Sequence, residues 1–268
     1  MDFKEVKDRG LVMLGCGKMG SAMLSGWLTE KLDPSAVWVQ DPSPSDWVQK
    51  SGAKVNEPLP KSPAIVIVAV KPQIMAEALP NLEGFGGGET LFISVAAGTP
   101  LSTYARLLGI ETPVIRAMPN TPAAIGRGIT ALIGSAAATE AHLSTAEHLL
   151  SAVGRTVRLK SETQMDAVTG LSGSGPAYVF HLIECLAAAG QAQGLAPDLA
   201  MELAKATVAG AGALALEGPE TPEQLRVNVT SPNGTTQAGL EVLMDTLPSL
   251  IRATVRAATE RSKELSRE

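Results

Sequence analysis

From residue 11 to about 159, short runs rich in β-branched residues alternate with amphipathic stretches, the pattern of a parallel sheet covered by helices. The strand candidates are 11–14, 36–40, 64–70, 90–95, 114–118, 129–133 and 156–159. Several are apolar on both faces, as strands inside a parallel sheet are. Helices are expected between them at 18–30, 72–79 and 139–152. The first follows a glycine turn, the second opens with a proline suited to a first helical turn, and the third is closed by Gly154.

Beyond about Glu162 the strand-like runs stop. Val179, Leu182, Ile183 and Leu186 recur at i, i+3, i+4 and i+7, one face of a helix. Further helices are expected at 198–216 and 248–265, the latter with a less polar stripe of Leu250, Ile251, Thr254, Val255 and Ala258. Residues 166–268 hold only two aromatics, Tyr178 and Phe180, and an Ala/Gly run at 204–215 that allows close helix approach but buries little area. A small helical unit with so few large side chains is marginal alone, so it is expected to pack against a second copy.

Composition narrows this picture. The chain has 268 residues, 45% hydrophobic and 18% charged, which excludes a disordered chain. Uninterrupted apolar runs such as 64–70 fall far short of the roughly 18–20 residues of a membrane-spanning helix, so none is expected. The charged start, MDFKEVKDRG, does not read as a secretory signal, and residues 1–9 are expected to be a solvated extension of a cytoplasmic chain. Two distant cysteines suit neither a disulfide framework nor a metal cluster. A net charge of −5 argues against broad nucleic-acid binding. Aromatics are only 3% of the chain against 26 glycines, so the core must be built from aliphatic and small side chains.

Candidate chemistry begins at the first strand. Leu11-Val12-Met13-Leu14 runs into Gly15-Cys16-Gly17-Lys18-Met19-Gly20 and then an apolar-periodic helix, which is G-x-G-x-x-G in its proper context. Gly15 permits the turn, Gly17 lets backbone approach a pyrophosphate, Gly20 allows close helix–strand contact, and the helix N-terminus offers free N–H groups to the anion. About 20 residues further on, Asp41 ends the second strand, where a carboxylate bonds the ribose diol of NAD and repels a 2′-phosphate. The alternative is that Asp41-Pro42-Ser43-Pro44 only initiates a turn.

Five further segments occur in family order: Ala69-Val70-Lys71-Pro72, Ser94-Val95-Ala96-Ala97-Gly98, Arg116-Ala117-Met118-Pro119-Asn120-Thr121-Pro122, Gly173-Ser174-Gly175-Pro176-Ala177-Tyr178 and Ser231-Pro232-Asn233-Gly234-Thr235-Thr236. With the glycine loop they resemble pyrroline-5-carboxylate reductase from about Leu11 to the C-terminus. The resemblance implies an α/β fold, with an N-terminal Rossmann dinucleotide-binding domain at 1–163 followed by an all-helical dimerisation and substrate domain at 164–268. It implies hydride transfer from NADPH or NADH to the C=N bond of 1-pyrroline-5-carboxylate, giving L-proline, in a homodimer or a larger ring of dimers.

By matching position, the cofactor residues are Gly15, Cys16, Gly17, Lys18, Met19 and Gly20 on the phosphates and Asn56 near the adenine ribose. Ala69, Val70, Lys71, Pro72, Ala96, Ala97 and Gly98 line the dinucleotide, with Asn120 beside them. Asn228, Gly234, Thr235, Thr236, Ser174 and Gly175 match substrate positions, and Thr236 is the catalytic candidate. Asp41 departs from members that favour NADPH, which carry a small or basic residue there.

These residues suit their implied tasks. The 69–72 segment ends the most apolar strand, where open α/β sheets bind ligands. Small side chains at 96–98 leave room for a flat nicotinamide. Ser231 to Thr236 join turn residues to a helix start, where Thr235 or Thr236 would act as cap and free N–H groups would receive a carboxylate. The Thr236 hydroxyl would reach the ring nitrogen. A cyclic imine can take its proton from water, so catalysis would rest on alignment in a dry pocket.

Lys71 is better read as a solvated or phosphate-facing group than as an acid. Cys16 reads as a small filler, and His142, His148 and His181 as solvated or packed. Competing readings are a reductase of another small cyclic imine, a β-hydroxy acid dehydrogenase, and a non-catalytic NAD(P)H-sensing dimer. The dehydrogenase would need a base such as lysine on the helix across 178–194, which has none.

Overall fold

The computed structural model describes residues 4–266, the side chains of positions 72, 76 and 81 excepted. In chain order these form α1 (Lys4–Arg9), β1 (Leu11–Leu14), α2 (Lys18–Thr29), β2 (Val37–Gln40), α3 (Asp46–Lys50), β3 (Lys54–Val55), β4 (Ile65–Val68), α4 (Met75–Ala78), β5 (Leu91–Ser94), α5 (Leu101–Leu108), β6 (Val114–Met118), β7 (Gly128–Gly134), α6 (Glu140–Ser151), β8 (Gly154–Arg158) and α7 (Met165–Val168). Then come α8 (Gly175–Ala192), α9 (Pro197–Glu217), α10 (Pro222–Asn228) and α11 (Thr235–Leu265). Two compact units result: the chain up to Ser174 together with the stretch from Ala258 onward, and Gly175–Ala257.

The first unit is an eight-stranded sheet in the order β3-β2-β1-β4-β5-β6-β7-β8. Period-two alternation sends its side chains into two cores. Leu11, Met13, Ile65, Ile67 and Ile93 meet Met23, Leu24 and Trp27 of α2 and Leu149 and Leu150 of α6 on one face. Val12, Val66, Val68 and Phe92 meet Leu79, Tyr104 and Leu108 on the other. Trp27, Tyr104 and Phe92 are the largest fully buried side chains, so the few aromatics are spent where helices cover strands. The Trp27 indole Nε1 donates to Leu149 O at 2.7 Å, which satisfies its one polar atom inside the core.

Several expectations are corrected. The sheet is not wholly parallel: β7 runs antiparallel to β6. Residues 119–127 connect them, fewer than the dozen or so that a parallel crossover needs. The helix expected at 72–79 is a 3-10 turn (Pro72–Ile74), the short α4 and a second 3-10 stretch (Leu79–Phe85), because Pro80 lacks the N–H that would continue α4. The helix expected from 248 begins at Thr235 and carries Pro248 inside it. The short elements β3, α3, α5 and α10 were not foreseen, having too few residues for a clear period. The expected solvated extension contains α1, whose Val6 is buried. Arg9 at its end donates to Ser62 O at 3.2 Å and to Pro63 O at 3.2 Å, while residues 1–3 lie outside the described residues.

In the second unit the buried residues are Ala187, Ala200 and Ala204, so it has no core of large side chains. Leu182, Leu186, Leu199, Leu203, Leu243 and Ile251 are exposed. By length and composition α9 is apolar enough to cross a membrane, with mean hydropathy 1.4 over its most apolar window. Asp198, Glu202 and Lys205 interrupt it, so no continuous apolar run marks it in the sequence.

Candidate active site

The strand order reverses between β1 and β4, whose neighbours β2 and β5 lie on opposite sides, and open α/β sheets bind ligands at the carboxyl ends of such strands. Gly15 leaves β1 there with φ +82°, a conformation that L side chains rarely adopt. A Cβ on Gly15 would lie 2.9 Å from both Ala69 O and Val70 Cγ1, so the turn packs directly on the segment after β4. At Gly20 a Cβ would lie 2.9 Å from Gly15 O, whereas at Gly17 it would meet nothing within 4 Å. The loop is thus closed on its protein side and open at Gly17. Gly17 is the N-cap of α2 and has no side chain to occupy the first-turn N–H groups. Lys18 and Lys71 are exposed, and Met19, Ala69 and Val70 are half-buried. This arrangement fits a dinucleotide pyrophosphate. The Pro72 side chain lies outside the described residues.

Asp41 initiates the turn read from the sequence and also reaches back to the glycine loop. Its Oδ1 accepts from Ser43 N–H at 2.8 Å, the turn-initiating bond, and its Oδ2 accepts from Cys16 N–H at 2.6 Å, inside the glycine loop. Asn56 sits beside it with φ +55°. Cys16 is 2% exposed, and burial, reinforced by Asp41, pushes its thiol above the ordinary range, so it fills space rather than attacking.

The segment after β5 is supported from below. The Ser94 hydroxyl lies 2.5 Å from the Tyr104 hydroxyl and accepts from Ala96 N–H at 3.2 Å. Ala96 is buried, Ala97 exposed, and Gly98 turns the chain at φ +73°. Burial pushes the Tyr104 phenol upward, against hydrogen bonds from Ser94 and Thr99 and the nearby charge of Arg116. Helix α5 follows directly, and its first N–H, from Leu101, donates to Glu162 Oε1 at 2.8 Å. The same oxygen pairs with Arg116 Nη1 at 2.7 Å, on a guanidinium nearly sealed from solvent. Asn120 is occupied by the scaffold: Nδ2 donates to Ser172 O at 3.1 Å and Oδ1 accepts from Ile129 N–H at 2.9 Å. Ser174 N–H donates to Thr169 O at 2.8 Å, closing a π-helical turn (Thr169–Gly173).

In the second unit, Gly175 opens α8. Asn228 ends α10 and accepts from Gln224 Nε2 at 2.7 Å. Asn233 has φ +59°, and its N–H donates to Gln237 Oε1 at 2.8 Å. Gly234 O accepts from Ala238 N–H, which makes Gly234 the cap of α11 and corrects the expectation that a threonine caps it. Thr235 and Thr236 instead occupy the exposed first turn, their hydroxyls without an intrachain hydrogen bond among the described residues. His142 completes a capping box with Thr139 at α6, and His181 pairs with Glu184 at 2.9 Å, a partner that sequence reading overlooked.

The family model described as pyrroline-5-carboxylate reductase dimerisation matches residues 162–265, and one for coenzyme F420-dependent NADP oxidoreductases matches 11–98. A pyrroline-5-carboxylate reductase of Methanosarcina acetivorans is 38% identical over 98% of this chain and 100% of its own length. One from Synechocystis is 40% identical over 96% and 98%. The chain belongs to the pyrroline-5-carboxylate reductase family. Among solved reductases of this family, that of Coxiella burnetii is 32% identical and superposes with a TM-score of 0.91 over 96% of this chain and 98% of its own. That of Plasmodium falciparum, solved with NADP bound, is 27% identical with a TM-score of 0.84 over 97% and 98%.

In this family member the glycine loop packs on 69–70 in the first unit, which also carries 96–98, while Asn228, Gly234, Thr235 and Thr236 belong to the second. Sequence reasoning missed the supports: Tyr104, Glu162 and the pairing of Arg116. The readable signal was Arg116 itself, a charge inside an otherwise apolar strand, which demands a buried partner.

Proposed function

We propose that this chain reduces the C=N bond of 1-pyrroline-5-carboxylate to L-proline, with NADPH or NADH as hydride donor. The observation that carries this reading is the 38% identity with the Methanosarcina reductase over 98% of the chain. The open, uncapped glycine loop at the strand-order reversal and the NADP in the Plasmodium relative support the cofactor. When bound, the nicotinamide supplies the hydride.

The chain's own residues bind and orient. Gly17 and the first turn of α2 hold the pyrophosphate, Asp41 faces the adenine ribose, and Ala96 to Gly98 leave a flat surface for the nicotinamide. The first turn of α11 receives the substrate carboxylate, where the helix dipole contributes about 0.3–1 kcal/mol if exposed and up to about 2 if partly buried. Thr236 holds the ring nitrogen through its hydroxyl.

The chain is a homodimer through its helical region, and the lack of large buried side chains in the second unit accords with this. We assign 1–163 to dinucleotide binding and 164–268 to dimerisation and substrate, supported by the family matches at 11–98 and 162–265. Exposed Val242 and Leu250 on α11 support a larger ring of dimers, which native mass spectrometry would count. Two free cysteines, Cys16 and Cys185, support a reducing, cytoplasmic setting.

The deciding experiment follows absorbance of NADH and NADPH on addition of pyrroline-5-carboxylate, with other cyclic imines in parallel. Substrate-dependent oxidation with proline as product is expected. No oxidation would leave a nucleotide-sensing dimer, and faster reduction of another imine would reassign the substrate.

A further inference from the structure

Asn56 combines two unusual features. It is a non-glycine residue in the left-handed region, at φ +55°, and its side-chain amide is aimed at another residue's backbone. Its Nδ2 donates to Asp41 O at 2.9 Å and its Oδ1 accepts from Asp41 N–H at 3.0 Å. Its own N–H donates to Val39 O at 2.8 Å. The side chain thus acts as one more rung of the β2–β3 ladder, placed where the two strands have already ended.

The chemistry of the position is specific. Asp41 offers one main-chain donor and one acceptor, and an amide side chain meets both at once, one N–H donating while its oxygen accepts. Asparagine also tolerates the left-handed conformation better than most residues do. With its backbone held on both sides, Asp41 keeps one carboxylate oxygen on Cys16 N–H and the other on Ser43 N–H. Each oxygen retains a lone pair to accept from a ribose hydroxyl, and the two bonds hold the carboxylate in one orientation.

We infer that Asn56 is a positioning residue for nucleotide discrimination: it acts through Asp41, holding that carboxylate toward the ribose diol, rather than by touching the nucleotide. The inference rests on the reading that Asp41 faces the ribose. It separates Asn56 from the ribose-contact role that the family resemblance alone implies.

The test is direct binding to the intact dimer by titration calorimetry, with ADP-ribose and its 2′-phosphorylated analogue as probes. Asn56→Gly adopts the same φ without strain while removing the amide, so the fold is retained, and a melting curve checks this. Loss of two hydrogen bonds is expected to shift the Kd ratio toward the 2′-phosphate by about fivefold to thirtyfold. In an Asp41→Ser background the same substitution is expected to shift the ratio less than about twofold, since its effect passes through the missing carboxylate. Equal shifts in both backgrounds would mean direct contact and overturn the inference. An unchanged ratio in Asn56→Gly, with a shift in Asp41→Ser, would overturn the inference and leave the Asp41 reading standing. An unchanged ratio in Asp41→Ser would remove that reading and the inference with it.

Discussion

Truncating Glu162 tests whether the 96–98 loop, proposed above to face the nicotinamide, is braced from outside its own segment. One carboxylate oxygen of Glu162 serves both Arg116 and the first N–H of α5. Glu162→Ala leaves a guanidinium, 6% exposed, without its anion. Removing one partner of a fully buried pair costs about 3–5 kcal/mol. The Glu162 side chain is 31% exposed, so water screens part of this, and about 2 kcal/mol is the better figure. The orphaned Leu101 N–H adds about 1 kcal/mol, as loss of a helix cap does. At about 2–4 °C per kcal/mol for a chain of this size, the melting temperature should fall by about 6–12 °C. Circular dichroism at one fixed protein concentration measures this, with the mass-action contribution of dimer dissociation held the same for parent and variant. Glu162→Gln, which keeps an acceptor but no charge, should lose about half as much. Combining Glu162→Gln with Arg116→Met should recover much of the loss, because no uncompensated charge remains. The KM for the nicotinamide nucleotide should rise in Glu162→Ala, since α5 begins directly after the 96–98 segment. A melting temperature within about 2 °C of the parent would refute the reasoning.

Tyr104→Phe should lower stability by about 1–2 kcal/mol at pH 7 through its lost hydroxyl bonds. Burial raises the Tyr104 pKa, so the folded state holds this proton more tightly than the unfolded chain, and the parent loses stability as pH rises past about 10. The gap between the two proteins in urea unfolding should therefore narrow above pH 10, and a constant gap would contradict the assignment. Gly15→Ala should weaken dinucleotide binding more than about tenfold, because φ +82° and Ala69 O at 2.9 Å both oppose a methyl group; a parental Kd would count against the loop's role. Thr236→Ala should lower kcat/KM for the imine about tenfold while nucleotide binding survives, and parental kinetics would remove Thr236 from the mechanism.

The long elements were legible because period and burial coincide. β1 and β6 lie where the apolar runs place them, and α6 runs between the Thr139 cap and Ala152 as expected. Short elements such as β3 and α3 were not, since a few residues carry no period. The reversal of β7 follows from a connection too short for a parallel crossover, and the helix expected from 248 begins at Thr235 because Pro248 is accommodated inside α11.

At the site the division is similar. Local spacing along the chain marked the glycine loop and the acidic end of β2, and the family resemblance marked the small residues at 96–98; all three lie at the ends of strands, where a Rossmann crevice is built. Only the tertiary structure decided what holds them. Asn56 on Asp41, Tyr104 on Ser94 and Glu162 on both Arg116 and α5 join residues 15, 10, 46 and 61 positions apart. No period or motif encodes such pairs. For Ser94, Tyr104 and Arg116 they arise because a buried donor or acceptor must find a partner wherever the packed chain brings one, whereas Asn56 meets Asp41 at the surface because β2 and β3 end side by side.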